Sequence, residues 1–125
     1  MLDHFGLLIS AVITSGNCGD RNGLEALLYF SKGNYHQTIF ADQGYCGTEF
    51  HEQILKYGVN LQTVKRRDNP GFMLEARRWI VERTFAWLGK CRRLSKDYEL
   101  MTKSSLSMLY LSMIRLVLRR IVAIC

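Results

Sequence analysis

Residues 37–45 read Gln37-Thr38-Ile39-Phe40-Ala41-Asp42-Gln43-Gly44-Tyr45, and this stretch decides the predicted fold. Its first six residues are typical of a short β-strand, because β-branched and aromatic side chains are enriched in strands. The pair Gln43-Gly44 predicts a turn, so Asp42 stands at the carboxyl end of the strand. In open α/β sheets, ligands bind beyond the carboxyl ends of the strands. Asp42 is therefore a candidate functional residue.

The segment before this strand predicts a further strand and a helix. The apolar run over residues 5–14 is typical of a strand that is covered on both faces. A helix is predicted to start near Asp20, with Asn22 and Glu25 at the spacing of a capping box. Its predicted apolar face consists of Leu24, Leu27, Leu28 and Phe30.

The segments after this strand continue the alternation of strands and helices. The patterns predict a helix over 48–57, a strand over 59–64, a loop over 65–71, a helix around Glu82 and a long helix over 103–124. Alternating strands and helices favour right-handed crossovers and one α/β domain with helices on the faces of a sheet. Within it we distinguish the sheet region 1–64, a basic segment with the Glu82 helix at 65–99, and the C-terminal helix region 100–125.

The charge is distributed unevenly along the chain. Of the 17 basic and 11 acidic residues, fourteen and five lie from Lys65 onward, although the net charge of the whole chain is only +6. A basic half of this kind favours a polyanionic partner, nucleic acid or an anionic membrane surface. The uncharged run 104–114 is shorter than the ~20 apolar residues that a membrane helix needs. We therefore predict no membrane-spanning helix, and of the two polyanionic partners we expect nucleic acid and no membrane.

The cysteines predict neither a zinc site nor a secreted disulfide framework. Cys18, Cys46, Cys91 and Cys125 are far apart and form no CxxC pair. No secretory signal pattern precedes them, so free thiols in a reducing cytoplasm are expected.

The helix around Glu82 carries one carboxylate among arginines. An i, i+4, i+7 rhythm predicts that Val81, Phe85 and Leu88 are buried, and it places Arg78 one turn from Glu82. The two tryptophans that flank Glu82, Trp79 and Trp87, are predicted to be core anchors. Glu82 is then either one half of a surface ion pair or a ligand for a cation.

Asp42 and Glu82 together allow two interpretations. Two carboxylates could hold Mg²⁺ or Mn²⁺, because hard cations take oxygen ligands. Alternatively, Asp42 only starts its turn by an Asx hydrogen bond, and Glu82 only pairs with Arg78. Spacing alone favours the second interpretation, since ion pairs commonly explain such groups.

Three segments of the chain resemble those of a known family. They are Ala41-Asp42-Gln43-Gly44-Tyr45, Arg78-Trp79-Ile80-Val81-Glu82-Arg83-Thr84-Phe85-Ala86-Trp87-Leu88 and Cys91-Arg92-Arg93-Leu94-Ser95-Lys96-Asp97-Tyr98-Glu99. The chain looks like the C-terminal part of a bacterial insertion-sequence transposase of the DDE superfamily. The resemblance implies a ribonuclease H-like α/β fold with extra C-terminal helices, and metal-dependent DNA cleavage followed by strand transfer.

The resemblance also implies roles for particular residues. Asp42 matches the family's second catalytic aspartate and Glu82 its catalytic glutamate, both as ligands of Mg²⁺ or Mn²⁺. The expected DNA-binding residues are Lys65, Arg66, Arg67, Arg78, Arg83, Lys90, Arg92 and Arg93. The sequence departs from the family's pattern at two positions: Lys90 is one residue further from the glutamate than is common, and Glu75 stands where a tyrosine is frequent.

The family's first catalytic aspartate lies on an opening strand upstream of the segment that residues 2–8 match, and Asp3 is interpreted as a turn residue. We therefore expect a catalytic domain that lacks its first strand and carries two of the family's three catalytic acids. Such a chain is expected to have no transposase activity alone. The chain is then either the product of a downstream reading frame that functions only when joined to an upstream one, or a decayed remnant. The alternative function is a non-catalytic DNA-binding or regulatory module. The expected partners are DNA, as transposon ends and target, and either a second copy of this chain or an upstream transposase segment. The expected location is the cytoplasm, at the nucleoid.

Overall fold

The computed structural model describes residues 1–31, 38–64 and 76–124. It forms two compact units, one of residues 14–72 and one of residues 1–13 with 73–125. The described elements, in chain order, are α1 (Asp20–Phe30), β1 (Thr38–Ala41), α2 (Thr48–Leu55), β2 (Asn60–Thr63), α3 (Ala76–Gly89) and α4 (Thr102–Ile124). One-turn 3₁₀ helices lie at Gln43–Tyr45 and Arg92–Leu94. The predicted loop 65–71 lies outside the described residues.

The unit of residues 14–72 contains a small parallel sheet. Strands β1 and β2 pair in register from Thr38 opposite Asn60 to Ala41 opposite Thr63, and α2 is the crossover between them. Both strands were predicted and are confirmed. The core beneath them consists of Leu28, Phe50, Ile54, Val59 and Leu61. A mixture of helices with a parallel sheet is compatible with the predicted α/β class.

Helix α1 begins earlier than its predicted cap. Gly19 is the N-cap, and it offers no side-chain hydrogen bond. The prediction of a capping box at Asn22 and Glu25 is wrong, because the amide of Gly23 already donates to the carbonyl oxygen of Gly19 at 3.0 Å. Asn22 is thus inside the first turn. Leu27 and Leu28 are buried as predicted, whereas Phe30, the last residue of the helix, is exposed.

The unit of residues 1–13 and 73–125 begins with a tight turn and not with the predicted strand over 5–14. Within residues 1–15, all of them described, the strand-like feature is one antiparallel bridge between Leu2 and Leu8. The carboxylate of Asp3 accepts from the amides of Phe5 at 2.9 Å and Leu7 at 2.7 Å. Gly6 adopts a φ of 79°, which reverses the chain. The strand prediction is wrong because turn bonds over residues 3–7 replace strand pairing at the start of the run. Asp3 is a turn residue as interpreted.

The same unit contains helices α3 and α4. The predicted long C-terminal helix is confirmed as α4, and the hydroxyl of Tyr110 on it accepts from the amide of Ala11 at 3.1 Å. Cys91, two residues after α3, lies with its Sγ 3.2 Å from the hydroxyl of Ser112 on α4. Cys18, Cys46 and Cys91 are free thiols, and Cys125 lies outside the described residues. Among the helices described, none is both long and apolar enough to cross a membrane.

Candidate functional site

Asp42 follows β1 directly and is exposed at the carboxyl edge of the sheet. Its Oδ1 accepts from the amide of Gly44 at 3.1 Å, which is the Asx hydrogen bond of the second interpretation. Its carbonyl oxygen accepts from the amide of Tyr45 at 3.3 Å. A carboxylate offers about four lone-pair sites, so this turn leaves most of the acceptor capacity of Asp42 for another ligand.

Arg21 of α1 holds the loop that follows Asp42. Its Nε donates to the carbonyl oxygen of Gly44 at 3.5 Å, and its Nη2 donates to the carbonyl oxygen of Cys46. The guanidinium also lies 5.5 Å from the ring centroid of Phe50. Sequence analysis missed this residue because its partners are backbone atoms 23 and 25 positions later, which leave no side-chain pattern.

Tyr45 reports the electrostatics of the Asp42 loop. Burial raises the pKa of its phenol, and the negative charges of Asp20 and Asp42 add to the same shift. The ring lies 6.5 Å from that of Phe50, between centroids. Tyr45 therefore stays neutral beside Asp42, and its ring packs against the core that contains Phe50.

Glu82 lies on the exposed side of α3, in an ion pair with Arg78. The Nε of Arg78 is 3.0 Å from the Oε1 of Glu82, and the two side chains are 62% and 61% exposed. An exposed i, i+4 pair of this kind stabilises a helix by about 0.3–0.5 kcal/mol. Because so little is lost when the pair opens, Glu82 can exchange the arginine for a cation.

The buried side of α3 differs from the prediction. Val81 and Phe85 were predicted to be buried, and they are 42% and 68% exposed. Thr84 is buried instead, 2% exposed, and Leu88 is buried as predicted. The hydroxyl of Thr84 donates to the carbonyl oxygen of Gly6 at 2.8 Å, so a buried hydrogen bond sets the rotation of this helix.

The predicted core anchors of α3 are only partly buried. Trp79 is exposed, so that prediction is wrong, and Trp87 is half-buried. Both indoles contact the guanidinium of Arg83, which lies 4.3 Å from the ring centroid of Trp79 and 4.7 Å from that of Trp87, in place of an apolar core.

The remaining predicted DNA contacts gather after Glu82. Lys90, Arg92 and Arg93 are exposed at the end of α3 and in the 3₁₀ turn that follows. Arg93 pairs with Glu99 at 2.8 Å. Lys65, Arg66 and Arg67 lie outside the described residues. The exposed cations of this turn form a surface that phosphates can reach.

The two acids fit the chemistry of a divalent cation in their oxygen atoms and their exposure. Mg²⁺ and Mn²⁺ prefer carboxylate oxygens, and Asp42 and Glu82 each present one exposed carboxylate. Asp42 belongs to the unit of residues 14–72 and Glu82 to the other unit. In the described ranges, no three histidine, cysteine, aspartate or glutamate residues group closely enough to hold a metal ion.

Comparison with known proteins gives a family match over most of the chain. The family described as the transposase DDE domain matches residues 1–117. A Burkholderia cepacia protein named "Putative transposase for insertion sequence element IS402" is 31% identical over 106 residues, which cover 78% of this chain and 50% of the relative. The chain thus spans about half the length of the curated relative that it matches. No solved structure matches it.

Proposed function

The chain belongs to the transposase DDE domain family, and from that premise we propose that it is part of a catalytic domain that cuts and joins DNA in transposition. The match over residues 1–117 carries this proposal. It also confirms the resemblance stated from the sequence. The described geometry supports it at two points: Asp42 follows a parallel strand at its carboxyl end, and Glu82 is exposed on a helix.

Asp42 and Glu82 are the proposed ligands of a divalent metal, Mg²⁺ or Mn²⁺. Members of this family generally use a divalent metal. When bound, such an ion supplies charge stabilisation to the attacking and leaving oxygens of a phosphodiester. Asp42 contributes its carboxylate from a turn held by Arg21, which limits the movement of the ligand. Glu82 contributes its carboxylate after leaving Arg78, and the freed guanidinium is then available to a phosphate.

The exposed cations Arg78, Lys90, Arg92 and Arg93 are proposed to contact DNA phosphates, together with Lys65, Arg66 and Arg67. Their proposed partners are transposon ends and target DNA at the nucleoid, within an oligomer or beside an upstream transposase segment. We infer a ribonuclease H-like fold for the whole domain. In the family pattern a third acid belongs to a strand upstream of the matched residues, so residues 1–125 alone are expected not to cleave DNA.

A mobilisation assay tests this proposal without knowledge of the end sequences. A plasmid carries the whole element as it occurs, and excision and insertion are counted in bacteria. Asp42→Asn and Glu82→Gln should each abolish these events, whereas Glu52→Gln, an exposed acid on α2, should leave them unchanged. Wild-type frequencies for both Asp42→Asn and Glu82→Gln would refute the assignment. Strand transfer by the purified 125-residue chain with Mg²⁺ would refute the expectation that residues 1–125 alone do not cleave DNA.

A second candidate is a non-catalytic DNA-binding or regulatory module. It is favoured by one observation: Asp42 and Glu82 each already have a local partner, Gly44 and Arg78. Salt-dependent binding to any duplex is expected of both candidates. They differ in metal binding, which Asp42→Ala should abolish for the catalytic candidate and leave unchanged for the module.

A further inference from the structure

Arg83 is placed unlike Arg78, Lys90, Arg92 and Arg93, the other cations of the predicted DNA-binding set that the structure describes. It lies between Trp79 and Trp87, one turn before and one turn after it on α3, at 4.3 and 4.7 Å from their ring centroids. Its Nη2 donates to the carbonyl oxygen of Phe5 at 2.8 Å. Its Nε is buried and has no hydrogen-bond partner in the part of the chain that the structure describes. The guanidinium thus contacts two indole rings and one backbone carbonyl, and its Nε is withdrawn from solvent.

The next residue, Thr84, reinforces the same contact. Its hydroxyl donates to the carbonyl oxygen of Gly6, so two consecutive side chains of α3 bind two consecutive carbonyls of the N-terminal turn. The fit at Gly6 is close, because a Cβ added there would lie 2.6 Å from the Oγ1 of Thr84 and 3.4 Å from the Nη2 of Arg83. A backbone that approaches this closely fixes α3 in both position and rotation.

Helix α4 joins the same stack through Arg120. Its guanidinium lies 4.1 Å from the ring centroid of Trp87, so Trp79, Arg83, Trp87 and Arg120 form an alternating series of indoles and guanidinium groups. Arginine, unlike lysine, supplies a planar cation that can stack on an indole and donate several hydrogen bonds in its own plane. A lysine in place of Arg83 would keep the positive charge and lose the planar group that stacks between the indoles.

We propose that Arg83 is a positioning residue that fixes the rotation of α3, and hence the direction of Glu82, and that it makes no contact with DNA. Successive side chains on an α-helix point about 100° apart, so the stack on Arg83 determines where the carboxylate of residue 82 projects. The expected effect of Arg83 on metal binding rests on the proposed function. The role of Arg83 in fixing the rotation of α3 rests on the contacts alone.

Arg83→Lys and Arg83→Gln test the proposal, with Arg92→Gln as the matched control at an exposed arginine. The chain contains two tryptophans, and both stack on Arg83, so near-ultraviolet circular dichroism and tryptophan fluorescence report this stack directly. Both Arg83 variants should change the tryptophan spectra and lower the Tm, and lysine should not rescue either property. Arg92→Gln should leave the spectra unchanged.

Duplex binding at several salt concentrations gives a second readout. The slope of log K against log salt should be unchanged in Arg83→Lys and Arg83→Gln, and about 0.9 smaller in Arg92→Gln. The Mn²⁺ affinity of Arg83→Lys should fall severalfold although Glu82 is intact. An unchanged Mn²⁺ affinity together with altered tryptophan spectra would overturn the positioning role.

The opposite result would assign Arg83 to DNA. The proposal is overturned if Arg83→Gln reduces the salt slope by about 0.9, Arg83→Lys restores it, and the tryptophan spectra stay unchanged. If wild type itself shows no salt-dependent binding, the DNA function fails, and the tryptophan spectra, the Tm and the Mn²⁺ affinity together still decide the role of Arg83. If Arg83→Gln does not fold, the same measurements on Arg83→Lys decide it.

Discussion

The two acids that we propose as metal ligands, Asp42 and Glu82, are held by supports of different kinds. Asp42 follows a strand whose unit packs on fully buried aliphatic side chains, Leu28, Ile54 and Val59. Glu82 lies on a helix that is fixed by polar and cation–π contacts, chiefly those of Thr84 and Arg83. The difference indicates that truncating apolar side chains should displace Asp42, whereas removing polar groups should displace Glu82.

The largest expected effect lies in the core below Asp42. Ile54→Ala should destabilise the unit of residues 14–72 by about 2–5 kcal/mol, because it removes a fully buried side chain and leaves a cavity. Leu55→Ala, at the exposed neighbouring position, should cost well under half as much. Urea unfolding of both variants measures the difference. Equal losses would mean that α2 does not pack as described.

The next effect compares one glycine from each unit. Gly6 and Gly58 both have positive φ, 79° and 76°, so alanine is strained at either by about 1–2 kcal/mol. Only at Gly6 does the added Cβ also collide, with Thr84, whereas it meets nothing within 4 Å at Gly58. Gly6→Ala should therefore cost about 2–4 kcal/mol in total. Equal free energies of unfolding for the two variants would contradict the close approach between the turn and α3.

A smaller effect concerns the clamp on the Asp42 loop. Arg21→Gln should cost about 1 kcal/mol, because it removes hydrogen bonds to the carbonyl oxygens of Gly44 and Cys46. It should also speed amide exchange at Tyr45 and Cys46, whose amides donate within this loop. Lys56→Gln, at an exposed cation after α2, is the control. Unchanged exchange in Arg21→Gln would show that Arg21 does not hold the loop.

The smallest effect is confined to high pH. The raised pKa of Tyr45 means that the folded state favours the neutral phenol. Its contribution to stability is complete below the ordinary tyrosine pKa of about 10 and is lost as pH rises through the higher folded pKa. Tyr45→Phe should lose less stability than wild type between about pH 9 and pH 11. Tyr98→Phe, at an exposed tyrosine, should behave like wild type in urea unfolding at both pH values.

The Asp42 region could be predicted from sequence because its determinants are local. A strand followed by Asp42 and Gly44 places the carboxylate at the sheet edge and also gives the Asx hydrogen bond. The Arg78–Glu82 pair follows from i, i+4 spacing in the same way. These features require only neighbours within one turn of the chain.

The support of α3 could not be predicted because its contacts are distant in sequence. The bonds from Arg83 to Phe5 and from Thr84 to Gly6 each join residues 78 positions apart. They rotate the helix so that Thr84 is buried and Phe85 is exposed, against the apolar pattern. The strand predicted over 5–14 failed for a different reason, since the carboxylate of Asp3 and the positive φ of Gly6 form a local turn that the apolar pattern does not reveal.

The most direct test of the account is a Mn²⁺ titration of the purified chain, followed by the electron paramagnetic resonance signal of free Mn²⁺. Wild type should bind the ion, and Asp42→Asn and Glu82→Gln should each lose that binding. Glu99→Gln is the matched control, since Glu99, like Glu82, pairs with an arginine. If Asp42→Asn and Glu82→Gln bind Mn²⁺ as wild type does, these two acids are not the metal ligands of this transposase domain.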